Sequence, residues 1–233
     1  MILEVRDVCA GYGTAPVLRN INFTQQHGEV LGVVGHNGMG KTTLLRTMVG
    51  LLQTAFGAIE FDGEPIEHMP AYRRSSAGIG YVPQGNLGFP HLSVAENLEL
   101  ARAMKGRCSH LTIEAVVSLF PRLAELLGRR SSALSGGERR LLSIARAVIR
   151  SPRLLLLDEM TEGIQPSIVE EIAERLRNLH DQLGMSMLIV DQELAFVAAL
   201  ASRVLVMQKG QIAQELASDK LSESEILGAF GVA

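Results

Sequence analysis

"EVLGVVGHNGMGKTTLLRTMV", residues 29–49, decides how this chain is read. Its first six residues are a short continuous apolar run, as expected of a strand buried on both faces. Gly35 to Thr43, GHNGMGKTT, match the spacing G-x-x-x-x-G-K-[ST], and Lys41 to Val49 read as a helix. A strand, a glycine-rich turn and a helix in that order form a cradle for phosphate. Gly35, Asn37, Gly38 and Gly40 let backbone amides curl around the anion, and Lys41 adds a cation for the outer phosphates. Thr42 offers a hydroxyl to Mg²⁺, and Thr43 follows it in the first helical turn. The bland alternative, a chance glycine-rich turn, does not explain the strand, Lys and Thr falling together.

A second apolar run supplies a partner. "LLLLDE", Leu154 to Glu159, reads as a buried strand with Asp158 emerging at its C-terminal end, where α/β sheets bind ligands. Asp158 is expected in the Mg²⁺ shell. Glu159, one residue on, can orient or polarise an attacking water. Alone, this stretch would be a strand with a solvated acidic turn; after a phosphate loop it completes a nucleotide site.

Composition bounds the rest. The chain has 233 residues, 47% of them hydrophobic, enough for one large core with a smaller lobe. Its net charge of -3 argues against bulk nucleic-acid binding, which needs a clearly basic surface. Cys9 and Cys108 suggest no disulfide framework and a reducing compartment. Runs such as Leu154 to Leu157 are too short to span a bilayer, so a soluble protein, or the soluble subunit of something larger, is expected. His27, His36, His68, His91, His110 and His180 show no metal-ligand spacing and read as loop or surface residues.

The pattern along the chain is α/β. The start is β-rich, with "ILEV", "NINF" and an Asp-Gly hairpin turn in "FDGE". From about 88 to 150 the pattern turns helical. Ser93 with Glu96 reads as a capping box, and "IEAVVSLFPRLAELL" as a helix interrupted at Pro121. Pro166 fits the first turn of an amphipathic helix with Ile168, Ile172, Leu176 and Leu179 inward. "SMLIVDQ" reads as a strand, "ELAFVAALA" as a helix, and "VLVMQKGQIAQE" as a hairpin turning at Lys209-Gly210. "SALSGGERRLLSIARAV", 132–148, opens like a helix start made for an anion. Ser135 caps it and Gly136 and Gly137 leave its first amides bare. Glu138 sits at the S-x-x-E spacing of a capping box, with Arg139 and Arg140 expected to offset its charge.

Here the sequence resembles the ATP-binding cassette ATPases. "LSGGE" (134–138) is close to their signature LSGGQ, "YVPQG" (81–85) matches their glutamine loop with Gln84, and "TEGIQP" (161–166) falls at their D-loop. Tyr12 sits where the family stacks an aromatic on adenine; an ordinary exposed tyrosine is its alternative. The resemblance runs from about residue 2 to 230. It implies one cassette domain over 1–233: a P-loop NTPase core with an N-terminal antiparallel β subdomain and a helical subdomain inserted at about 88–150. It implies ATP hydrolysis with Mg²⁺. Two such units, copies of this chain or related paralogues, would pair head to tail. Ser135, Gly136 and Gly137 of one would then face the ATP held by Lys41 of the other, with Gln84 reporting on Mg²⁺ and water.

The branch resembled is that of the branched-chain amino acid and urea uptake ATPases, with "YVPQG" and "TEGIQPSI" leaning to urea or short-chain amides. That implies a peripheral place on the cytoplasmic face of the membrane, separate permease subunits docking near Gly85–Leu100, and a solute-binding protein further out. Phe89, Pro90, His91 and Leu92 are the candidate socket, with packing on their own helix as the alternative. Arg129 and Arg130 read as a solvated loop. Two positions depart from the pattern. Gln192 stands where many members carry a catalytic histidine, as is common in the amino-acid branch. Met160 stands where proline follows the glutamate, which suggests a looser Glu159. Two other functions stay open: a single-cassette ATPase without transport, such as one for cofactor assembly, and an ATP-binding module that does not hydrolyse. No N-K-x-D motif supports a GTPase.

Overall fold

A computed structural model describes residues 1–13, 15–85, 88–103 and 111–217. Cys108, His110, part of the 85–100 segment and the end of the family resemblance lie outside them. Two sheets organise the chain. β1 (Leu3–Tyr12), β2 (Ala15–Gln25), β4 (Thr54–Phe61) and β5 (Glu64–Pro65) form an antiparallel sheet in the order β2-β1-β4-β5. The second sheet contains β3 (Val30–Val34), β6 (Ile79–Val82), β7 (Leu154–Asp158), β8 (Ser186–Asp191), β9 (Arg203–Gln208) and β10 (Gln211–Ala217). Its order is β10-β9-β3-β8-β7-β6, parallel throughout except for β10.

The parallel sheet is the middle layer, which is why β3, β7 and β8 are buried along their whole length and mostly apolar. Leu154 and Leu156 of β7 enter one core with Leu31, Val33 and the antiparallel sheet. Leu155 and Leu157 enter the other, with Val30, Val34 and the helices. The first core also takes Leu44, Leu45 and Met48 from α1 (Lys41–Val49). The second is covered by α3 (Val94–Ala103), α4 (Ile113–Leu119), α5 (Pro121–Ala124), α6 (Gly136–Val148), α7 (Pro166–Leu183) and α8 (Leu194–Ala198). α2 (Ala71–Ala77) precedes β6; neither element follows from the local pattern.

Local signals place most boundaries. The break between α4 and α5 falls at Phe120-Pro121, and Pro121 and Pro166 each sit at the start of a helix. Both hairpin turns, Asp62-Gly63 and Lys209-Gly210, have the two positive φ angles of the tight turn that matches strand twist. The expected inward stripe of α7 holds for Ile172, Leu176 and Leu179, which are buried; Ile168 is only partly so. Ser93 and Glu96 form both bonds of the expected capping box.

Arg74 of α2 supports α1 from below. It is 1% exposed and donates to the carbonyls of Thr47 and Met48 in the last turn of α1, and to those of Met69 and Glu67. A guanidinium there satisfies carbonyls that a helix end leaves unpaired and opposes the negative end of its dipole. Burial lowers its pKa.

Candidate active site

Parallel register brings the chemistry together. Val34 pairs with Asp191 and Val190 with Asp158, so β3, β8 and β7 end at one level. The phosphate loop, Gln192 and Glu159 all leave the sheet at this edge, and Gln84 follows β6 at the same edge. The loop enters α1 through Gly40, at φ 101, with no side-chain cap and no acidic residue in the first turn. That end of the helix is therefore left for an anion. Gly35 has no alternative: a Cβ there would lie 2.7 Å from the Met207 carbonyl oxygen of β9.

Lys41 is 4% exposed, and its Nζ donates to the carbonyls of Gly35 at 2.8 Å and His36 at 3.3 Å. It also lies 3.5 Å from Glu159 Oε1. Beside it Thr42 Oγ1 donates to Asp158 Oδ1 at 3.0 Å, and Tyr81 donates its phenol proton to Asp158 Oδ2 at 3.0 Å. Burial pushes the Asp158 carboxyl above its ordinary value, while the bonds from Tyr81 and Thr42 pull it back. The Tyr81 phenol is pushed up too, by burial first and then by the charge of Asp158. A hydroxyl and a carboxylate side by side next to a phosphate cradle are the hard oxygen donors that suit Mg²⁺. Among the described residues no cluster of three or more His, Cys, Asp or Glu is placed to hold a metal.

Glu159 is held on every side. It has φ 49, its amide donates to Val190 O at 2.8 Å, and it is 6% exposed. Gln84 Nε2 donates to Glu159 Oε2 at 2.8 Å and Gln192 Nε2 to Glu159 Oε1 at 3.3 Å. The looser placement expected from Met160 is not found. Met160 is fully buried in the helical core and anchors the turn. The left-handed φ of Glu159 is also one that a following proline disfavours.

The signature turn carries its own logic. Ser135 Oγ accepts from the Glu138 amide at 3.2 Å and Glu138 Oε2 accepts from the Ser135 amide at 2.8 Å, the capping box the spacing implies. These bonds, the Ser135 amide first, hold the Glu138 carboxyl below its ordinary value. The cation facing it is neither Arg139 nor Arg140, as expected from sequence, but Arg122, whose Nε lies 3.5 Å away. Arg139 turns to Leu134 O, and Arg140 turns inward. Gly137 is buried because α6 crosses α7 there: a Cβ would lie 2.4 Å from Ile168 Cγ2.

Lys41, Gln84 and Gln192 thus close around Glu159, and Thr42 and Tyr81 around Asp158, the residue before it. None of these bonds reaches Ser135, Gly136 or Gly137. Tyr12 ends β1, half-exposed, with its hydroxyl accepting from Arg46 Nη1 at 3.1 Å. In the candidate socket Phe89 is 45% exposed, with Arg146 stacked 5.1 Å from its ring and its backbone held by Asn97. Tyr81, Glu162, Thr161 and Asp191 escaped sequence reading. Tyr81 holds Asp158, and Glu162 accepts from Gln84 at 2.7 Å. Asp191 accepts from the Thr161 hydroxyl and from the Gln192 amide, tying the D-loop segment to β8. Only Asp191 left a signal, since "LIVD" repeats the buried strand ending in an acid seen in "LLLLD".

Residues 18–162 match the family model described as ABC transporter. The chain belongs to the ABC transporter family. Across 91% of its length this ABC ATPase is 34% identical to the high-affinity branched-chain amino acid transport ATP-binding protein BraG of Pseudomonas aeruginosa, over 91% of that protein. It is 32% identical to the probable branched-chain amino acid transport ATP-binding protein LivF of Archaeoglobus fulgidus, over 93% of this chain and 92% of the relative. Its fold is that of the ATP-binding cassette MJ0796, solved as a dimer in a post-hydrolysis state with ADP and Pi. The TM-score is 0.82 at 22% identity, over 93% of this chain and 99% of that one. Among the described residues no helix of this ABC ATPase is long and apolar enough to cross a membrane.

Proposed function

We propose that this ABC ATPase, a single cassette over residues 1–233 with a helical subdomain at about 88–150, powers a solute importer. The observation that carries the reading is the bonded cluster around Glu159 at the C-terminal edge of the parallel sheet. Lys41 is bonded to neutral loop carbonyls, which phosphate oxygens readily replace as its partners. Asn37, Gly38 and Gly40 line the same cradle, and Tyr12 offers a ring to the base. Thr42 and Asp158, with Gln84, would hold Mg²⁺, which neutralises phosphate charge when bound. Glu159 accepts a hydrogen bond from the attacking water and aligns it. Gln84 and Gln192 fix the carboxylate in place. Gln192 does this without a titrating group, so turnover across the usual histidine range should not depend on position 192.

Catalysis here is positioning and charge. The second wall of the site would come from Ser135, Gly136 and Gly137 of a paired cassette, this chain or a paralogue. Permease subunits would dock near Gly85–Leu100, with Phe89 exposed to meet them, and place the chain at the cytoplasmic face of the membrane. A solute-binding protein would belong to the same system. The names of the two relatives favour branched-chain amino acids as the solute. The segments "YVPQG" and "TEGIQPSI" favour urea or short-chain amides as the second reading.

Glu159→Gln tests the chemistry. It should lower ATP turnover roughly 10²–10⁴-fold, the usual worth of a positioned base, while nucleotide binding persists. Unchanged turnover would leave only a binding module. Purifying the assembly and finding which solute accelerates hydrolysis decides between the two solute classes. Failure to recover membrane subunits would favour the non-transport ATPase.

A further inference from the structure

Arg140 is a charged side chain that is only 3% exposed. It lies one turn into α6, just past the signature residues Ser135, Gly136 and Gly137. Its Nη1 donates to the carbonyl of Gly85 at 3.1 Å and to that of Pro83 at 3.4 Å, the two residues that flank Gln84. Its buried Nε has no hydrogen-bond partner among the described residues. Burial lowers its pKa, and the charges of Asp191, Glu162 and Asp158 oppose that shift. A buried cation satisfied mainly by two neutral carbonyls is a costly way to fill a core position. What it does is hold two segments together.

The attachment continues downstream. The Ser131 hydroxyl donates to Phe89 O at 2.8 Å, its amide to Leu92 O at 2.9 Å, and the Ser132 amide to Pro90 O at 3.1 Å. Both described sides of the glutamine loop are therefore fastened to the signature region. Arg140 grips the residues on either side of Gln84, and Gln84 in turn bonds Glu159 and Glu162.

We propose that Arg140 is a positioning residue for hydrolysis, locking the glutamine loop to the signature helix so that Gln84 and the Ser135–Gly137 turn move as one body. The proposal rests on the ATPase reading above. Steady-state hydrolysis of MgATP by the full chain tests it. Arg140→Met should lower kcat roughly ten- to hundredfold, the scale of losing hydrogen bonds from a charged donor, with KM for ATP held within about twofold. In a Gln84→Ala background the same substitution should cost less than about threefold, because the two residues act through one element. Arg140→Gln keeps an amide donor and should recover part of kcat; it replaces Arg140→Met in the cycle if that variant does not fold.

Equal losses in both backgrounds, or a loss carried by KM, would overturn the proposal. Glu159→Gln, assayed alongside, separates the two readings. If it leaves turnover unchanged, the ATPase reading falls. If it abolishes turnover while the Arg140 and Gln84 losses multiply, only the coupling falls.

Discussion

Gly137→Ala isolates a packing role inside a motif usually assigned to nucleotide contact. The added Cβ would lie 2.4 Å from Ile168 Cγ2, 3.2 Å from Cγ1 and 3.3 Å from Cβ. Carbon atoms in contact prefer about 3.5–4.0 Å, so roughly 1 Å must be opened between α6 and α7. Ile168 cannot simply rotate away, because a β-branched side chain in a helix has one strongly preferred χ1. Overpacking of this kind costs about 1–3 kcal/mol. Alanine recovers about 0.5–1 kcal/mol over glycine in a helix interior, and less at a helix start. The net loss is then about 0.5–2 kcal/mol, and for a chain of this size Tm should fall by roughly 1–8 °C.

Gly136→Ala is the internal control. Its Cβ would lie 3.8 Å from Ile164 Cδ1, an ordinary contact, and Tm should hold or rise slightly. Ile168→Ala removes the two Cγ atoms and leaves only the Cβ at 3.3 Å, so in that background Gly137→Ala should cost clearly less than in the natural chain. The assay is thermal and urea unfolding without nucleotide, so that ligand binding does not shift the equilibrium. If Gly137→Ala were as stable as Gly136→Ala, the close approach of the two helices would be refuted, and any activity lost would belong to the nucleotide site alone.

Glu138 should show its cap in two ways. Glu138→Ala should cost about 0.5–2 kcal/mol as the capping box is lost, whereas Glu138→Gln should keep both bonds and ATP-driven pairing. The lowered Glu138 pKa means its ionised form stabilises the fold fully above the ordinary value of 4.5, and that contribution disappears as pH falls through the lower folded value. Tm measured against pH should therefore be flatter below about pH 4.5 in Glu138→Gln than in the natural chain. Arg74→Met should destabilise by about 2–4 kcal/mol, read in urea, because it leaves the buried carbonyls of α1 without a donor. Met160→Pro should lower Tm by removing a fully buried side chain and opposing the Glu159 turn; a rise in turnover above about tenfold would contradict this account.

The fold and the site were legible to different depths. The phosphate loop, its strand and α1 could be read directly because their residues are neighbours in sequence: a buried run, glycines, Lys41 and Thr42. The same holds for the two hairpin turns, the Ser93 and Ser135 caps and the break at Pro121. Each is a contact within a few residues, so local chemistry dictates it. β6 was hidden because "IGYV" is short and carries a glycine, and α2 because "AYRRSSA" has no apolar stripe.

What the sequence by itself determined is the local machinery: the strand and helix on either side of the loop, the acid that ends β7, and how the signature helix begins. The tertiary structure alone decided who faces whom. The order β9-β3-β8-β7-β6 and its register set Asp158 beside Thr42 and Tyr81, and Glu159 beside Gln84 and Gln192, across separations the chain pattern does not encode. It also gave Glu138 its partner in Arg122 and turned Arg140 inward, against the neighbour-in-sequence expectation. The physical reason is that a helix start is fixed by backbone bonds over one turn, whereas a side chain's charge partner is fixed by which helices pack against it.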